Sequence, residues 1–286
     1  MKTIIVPIDF SKNGDNAVEY AIRMSKIHYN KLIFMHVFSL PFLNPEVGMV
    51  YDQSFTDAQR IQADKALREH VEKVYKSLGM HRNLLLSELE VIEAISLASG
   101  IEKINQKYKA NLIIMGTHGA TGLKKFFLGS NAVDVLNNSD IPLLTVPSHC
   151  KFNSLKNIAY CSDFGNIDNE LKEVVSFAKA FSAQVVVAHI AKDNNTSASI
   201  EVDPLIKKWQ ETNNYEKINL HIVQGNDNTH VDEALKSLLT QIEVDLLVMF
   251  HKQINFWKAL FEKSTSSELV YEWTNPILTM HKNKYE

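Results

Sequence analysis

Four glycines, Gly116, Gly119, Gly122 and Gly129, fall within the fifteen residues GTHGATGLKKFFLGS, in a 286-residue chain that holds ten glycines altogether. Bare backbone at this density serves sharp turns or the close approach of another group. A loop that leaves a strand and enters a helix presents free N–H groups and the positive end of the helix dipole, a combination suited to an anion. Gly116 and Gly119 would let the loop turn sharply, Gly129 would let backbone N–H groups approach an oxygen, and Ser130 offers a hydroxyl as helix cap or phosphate donor. This is phosphate-cradle chemistry, although the spacing is neither that of a P-loop nor that of the dinucleotide fingerprint. A plain tight turn is the alternative. Asp9, at the end of the apolar run TIIVPI, is a second chemical group; it could accept from a ligand, cap the first helix, or do both.

The remaining candidates read as structure. His36 and His189 each stand near the end of an apolar strand pattern, as core histidines do. His118 carries no assigned chemistry, and Lys124 and Lys125 read as a solvated face beside which terminal phosphates are the alternative. Phe126, Phe127 and Leu128 read as packing residues. Cys150 and Cys161 lack metal-ligand spacing and are too few for a disulfide framework, so both read as small core residues of a cytoplasmic protein. No nucleophile–base–acid constellation and no paired-histidine metal motif occurs, so the expectation is a binding protein and not an enzyme. A net charge of −3 and a pI near 6.4 give no electrostatic reason to expect nucleic acid or an anionic membrane as partner. The opening MKTIIVPIDF is too short for a signal peptide or a membrane span.

The elements that must position these groups are written twice. TIIVPIDFSKNGDNAVEYA resembles NIAYCSDFGNIDNELKEVV at an offset of 154 residues, which aligns Asp9-Phe10 with Asp163-Phe164. ANLIIMG matches VDLLVMF, and IPLLTVP matches NPILTMH, both at an offset of 134. The first copy therefore carries about 20 extra residues, placed at Ser39 to Arg60, where no strand pattern shows. Two domains are expected, residues 1–149 and 150–286. In the first copy the pattern predicts strands at Ile4–Ile8, Lys31–Phe38, Asn83–Ile92, Asn111–Met115 and Pro142–Pro147. Helices are predicted over Asn16–His28, Thr56–Leu78 with Gly79 as C-cap, Ser99–Lys107 and Asn131–Leu136. Alternation of buried strands with helices gives an α/β class, two tandem doubly wound (Rossmann-like) domains on parallel sheets.

Gly116-x-x-Gly119, nine residues, then Gly129-Ser130 matches the G-2x-G-9x-G-[ST] signature of the universal stress protein family, and the opening VPIDFS and His36-Val37 resemble it too. The resemblance extends over the whole chain as a tandem pair. It implies five-stranded sheets of order 3-2-1-4-5, with the ends of strands one and four flanking the point where the winding reverses. It implies an ATP-binding regulatory or stress-response module, with or without Mg2+. Pro7, Ile8 and Asp9 would line the adenine and ribose, Asp9 accepting from a sugar hydroxyl, and Val37 would meet the adenine edge through its backbone. Gly116, Gly119, Gly129, Ser130 and Asn131 would surround the phosphates, and Met115 would be a further nucleotide-binding residue. A slow ATPase and a nucleotide-free interaction scaffold are the competing readings. Family members commonly dimerise through the fifth strand, so an intramolecular pseudo-dimer of the two domains is expected, and a homodimer is compatible with it.

The second copy departs from the pattern. At an offset of 134, Gly116 becomes Phe250, Gly119 becomes Gln253, Gly122 becomes Phe256 and Gly129 becomes Lys263, while Ser130 persists as Ser264 and Asp9 as Asp163. Phe256, Trp257 and Phe261 read as filling the vacated pocket, with a small apolar ligand as the alternative. One ATP per chain is expected, in the first domain.

Overall fold

A computed structural model describes residues 2–28, 30–39, 53–117, 129–191, 201–224, 243–251 and 275–281, which form two compact units, Met1–Phe152 and Asn153–Glu286. Gly119, Gly122, His118, Lys124 to Leu128, and most of Ser39 to Arg60 lie outside the described residues, as do Gln253, Phe256, Trp257, Phe261, Lys263 and Ser264.

In the first unit the strands are β1 (Thr3–Pro7), β2 (Lys31–Phe38), β3 (Ser87–Glu93), β4 (Leu112–Gly116) and β5 (Leu143–Val146). They alternate with α1 (Lys12–His28), α2 (Gln53–Ser77), α3 (Leu97–Tyr108) and α4 (Ser130–Asn138). The strands lie parallel in the order β3-β2-β1-β4-β5. Helix α1 touches α2, and α3 touches α4. Right-handed crossovers that reverse direction at β1 put the two pairs on opposite faces. That cover is why the strands need no polar alternation: Ile4, Ile5, Val6, Ile113 and Ile114 are all at 1% exposure or less.

The second unit repeats the plan with β6 (Asn157–Ser162), β7 (Gln184–Ala191), β8 (Ile218–Gln224), β9 (Leu246–Phe250) and β10 (Ile277–Met280), and with α5 (Ile167–Lys179) and α6 (Val202–Asn213). Its strand order is β8-β7-β6-β9-β10. The repeat extends to side chains. Asn111 Oδ1 accepts from the Thr3 N–H at 3.0 Å where β1 and β4 begin. At the matching place Asp245 Oδ2 accepts from Lys156 and Asn157 N–H at 2.7 and 2.9 Å.

Local chemistry moved some boundaries. The run NLLLSELEVI is not a strand throughout: the Asn83 side chain accepts from Leu85 N–H at 2.9 Å and its carbonyl from Leu86 N–H at 3.1 Å. This Asx turn holds Leu84 and Leu85 out of the sheet, and β3 begins only at Ser87. Helix α1 starts four residues ahead of the apolar periodicity, because Ser11 caps it. Gly79 follows α2 with φ +64, the left-handed C-terminal position expected of it.

Candidate functional site

Strands β1 and β4 are bonded only at Ile4↔Leu112 and Ile5↔Ile113. Both continue, β1 to Pro7 against β2 and β4 to Gly116 against β5, so the two part company at their carboxyl ends. A crevice opens there, at the reversal of winding, the place where open α/β sheets receive ligands.

Asp9 stands on the β1 side, exposed, two residues past the strand. Its Oδ1 accepts from the Ser11 N–H at 3.0 Å and the Ser11 hydroxyl at 2.7 Å. Ser11 Oγ in turn accepts from the Gly14 N–H at 3.0 Å. The cap of α1 is thus Ser11, and Asp9 stands behind it, so the expectation that Asp9 might itself cap the helix is corrected. Gly14 makes the arrangement possible, since a Cβ there would lie 2.6 Å from Asp9 Oδ1. Ile8 is buried and Pro7 half-buried beside it.

Val37 meets the same opening through its backbone. Lys31 donates to the Lys2 carbonyl and Leu32 to the Leu86 carbonyl, so odd residues of β2 turn their N–H and C=O toward β1 and even ones toward β3. The Ile8 N–H bonds to the Met35 carbonyl at 2.8 Å. Val37 is the next odd residue, and its amide and carbonyl therefore point into the gap beyond the end of β1. Its side chain is pressed from the other side by α3, where a Cβ on Gly100 would stand 2.5 Å from Val37 Cγ2.

On the β4 side Met115 is buried and Gly116 half-buried. The Thr117 N–H donates to the Val146 carbonyl at 3.2 Å, and the Thr117 carbonyl accepts from the Gly129 N–H at 2.6 Å. The ends of the glycine loop are thereby fastened to each other, and the Gly129 N–H is occupied. The free donors at the start of α4 belong to the residues after it: Gly129 is the N-cap without a side-chain cap, and Ser130 and Asn131 are exposed. Gly129 has φ −64, and among the described glycines only Gly79 has a positive φ. The loop ends therefore do not demand glycine for their dihedral angles, and Phe250 in place of Gly116 takes no left-handed backbone. Phe250 is an ordinary strand residue at 3% exposure, its ring edge-on to Tyr160 at 5.9 Å.

The two histidines are satisfied structural groups. His36 Nδ1 lies 2.8 Å from the Ile8 carbonyl and His189 Nδ1 lies 2.9 Å from the Ser162 carbonyl. A carbonyl only accepts, so Nδ1 carries the proton in each. Burial pushes the Cys161 thiol far above the ordinary thiol range, which leaves it protonated and inert. Among the described residues no group of three or more His, Cys, Asp or Glu is placed to hold a metal ion, and no helix is long and apolar enough to cross a membrane.

Ser11, Gly14 and Gly100 shape the site and were not singled out from the sequence; the doubled Asp-Phe, with its small residue next, was the signal that pointed to the first of them. A model of the universal stress protein family matches residues 1–147. A universal stress protein of Methanocaldococcus jannaschii is 30% identical over 148 residues, covering 51% of this chain and 81% of the relative. One from Thermus aquaticus is 26% identical over 145 residues, covering 51% of this chain and 98% of the relative. The crystal structure of a universal stress protein from Archaeoglobus fulgidus matches in fold with a TM-score of 0.67 at 16% identity, over 98% of both chains.

Proposed function

The chain belongs to the universal stress protein family, and from that premise we propose that its first unit binds ATP in the crevice where β1 and β4 part, while the second unit does not. Asp9 Oδ2 would accept from a ribose hydroxyl, the Val37 amide and carbonyl would meet the adenine edge, and the open N–H groups of Ser130 and Asn131 would face the phosphates under the α4 dipole. Any Mg2+ would arrive on the phosphate oxygens. The observation that carries the reading is the register break after Ile5↔Ile113, with the Asp9 carboxylate on one side and an uncapped helix start on the other.

We propose binding without turnover, in a cytoplasmic regulatory or stress-response module, because among the described residues no general base stands beside the phosphate end. The two units are further proposed to pack as an intramolecular pseudo-dimer, since β5 and β10 are apolar strands that each stand last in the strand order of their own unit. A scattering profile of two separated, independently tumbling bodies overturns that.

Acid extraction of the purified chain followed by chromatography tests the binding, with calorimetric titration of ATP alongside. The expected result is one equivalent of adenine nucleotide per chain. Gly129→Val should abolish it while leaving the fold intact, because φ −64 accommodates a branched side chain. No saturable binding up to millimolar ATP overturns the reading, and product growing linearly past one equivalent overturns the absence of turnover.

A further inference from the structure

Phe10 occupies the left-handed region, φ +59, which an aromatic side chain enters only when its surroundings hold it there. The holders are visible. The Phe10 ring lies 4.5 Å from the His36 ring and meets the His70 ring edge-on at 5.3 Å. His36 cannot swing, because its Nδ1 donates to the carbonyl of Ile8 at 2.8 Å, two residues before Phe10. His70, on α2, has its Nε2 2.7 Å from Asp15 Oδ1 in α1, a charge contact between the two helices without hydrogen-bond alignment. The reversal at Phe10 then brings the Ser11 N–H and hydroxyl back onto Asp9 Oδ1, which leaves the second carboxylate oxygen for a ligand.

The second unit repeats the device with different residues around it. Phe164 has φ +64, its ring is stacked on His189 at 3.9 Å and 7°, and His189 Nδ1 bonds to the carbonyl of Ser162. Trp209 of α6 supplies the second ring, at 6.1 Å, and Asp163 Oδ1 accepts from the Gly165 N–H at 2.9 Å. A costly backbone state that occurs at the same place in both copies, each time beside a histidine bonded to the carbonyl two residues before the aromatic one, is a built feature.

We infer that Phe10 and His36 are positioning residues that aim the Asp9 carboxylate at the ribose, and that His70 couples α2 to that aim. The inference rests on the reading that the first unit takes a nucleotide. The route is mechanical: His36 fixes the Phe10 ring, the ring fixes the left-handed turn, and the turn fixes Asp9. Adenine and phosphate contacts are made by other groups, so loosening Phe10 removes ribose reading and little else.

The full chain, wild type and variants, is titrated by calorimetry with ATP and with 2′,3′-dideoxy-ATP, which lacks both ribose hydroxyls. The wild type should prefer ATP by about tenfold or more, the scale of one hydrogen bond to a charged group. Phe10→Ala keeps the cost of a left-handed backbone and loses the ring that holds it there, so the turn relaxes, and both it and His36→Ala should bring the two ligands to within about twofold of each other. Phe10→Gly adopts the left-handed turn without strain and should keep most of the preference. Alanine variants that melt earlier yet retain the wild-type preference overturn the inference, as does a glycine variant that loses it as fully as alanine. A wild type that binds both ligands equally overturns it too, while leaving ATP binding intact. A wild type that binds neither overturns the nucleotide reading itself.

Discussion

At Gly14 two effects oppose each other. The residue lies inside α1, where alanine would stabilise the helix by about 1 kcal/mol. The added Cβ, however, would stand 2.6 Å from Asp9 Oδ1, and a carboxylate at the end of a side chain yields by rotating away. Gly14→Ala should therefore leave the melting temperature unchanged or slightly raised and weaken ATP binding by about tenfold, the worth of one charge-assisted hydrogen bond. Thermal melts and calorimetry on the same preparation check both halves, and a weaker fold with unchanged affinity would refute the account. The carboxylate itself was legible in the sequence as the end of an apolar run. Its seat was not, because a contact between residues 9 and 14 depends on the direction the chain takes at Phe10, and no propensity predicts a left-handed phenylalanine.

Helices and strands were legible where burial alone decides, as in β1, β2 and β4, whose continuous apolar runs have no other place to go. They were misread where a side chain competes for the backbone: the Asn83 turn consumes the front of an apolar run, and Ser11 extends a helix whose first turn shows no apolar stripe. Close approaches between elements were also hidden, because a glycine inside a helix pattern reads as a mere weakness. Gly100 is the case in point. A Cβ there would lie 2.5 Å from Val37 Cγ2 and 3.4 Å from Met35 Cε, so α3 would have to lift off β2. Gly100→Ala should destabilise the protein by about 1–3 kcal/mol in urea unfolding despite the better helix propensity, and adding Val37→Ala should recover part of it. The tie between β2, β3 and α3 gives a pH signature. Lys31 and then Tyr108, both bonded to Glu88, hold its carboxyl below the ordinary glutamate range. A depressed folded-state value means the contribution is present above the unfolded value and is lost as pH falls through the folded one. Lys31→Met should accordingly lower stability at neutrality and converge on wild type once Glu88 is protonated, which flattens the acid limb of the stability–pH curve; an acid limb identical to wild type would show that the tie contributes nothing.

Taken whole, the chain is one plan executed twice with different fates. Asn16 shows how far the copies have specialised: in the first unit its Nδ2 donates to the carbonyls of Pro147 and Cys150 at 2.7 and 2.6 Å, holding the segment that follows β5. The matching residue of the second unit is Glu170, buried and bonded to the Tyr160 hydroxyl. Asn16→Leu should cost about 1–3 kcal/mol through the loss of two hydrogen bonds, measurable by urea unfolding of the full chain, with ATP stoichiometry unchanged. Phe250 has a longer consequence. Restoring glycine there would excavate the space beside Tyr160 and cost about 3–5 kcal/mol, without returning any of the other glycines of the motif. Phe250→Gly should thus melt earlier and still bind a single ATP per chain. Seen as history, the substitution is a ratchet: with the large ring part of the core, the step back to glycine at this position leads through a less stable protein, and selection for folding alone suffices to hold the ring in place.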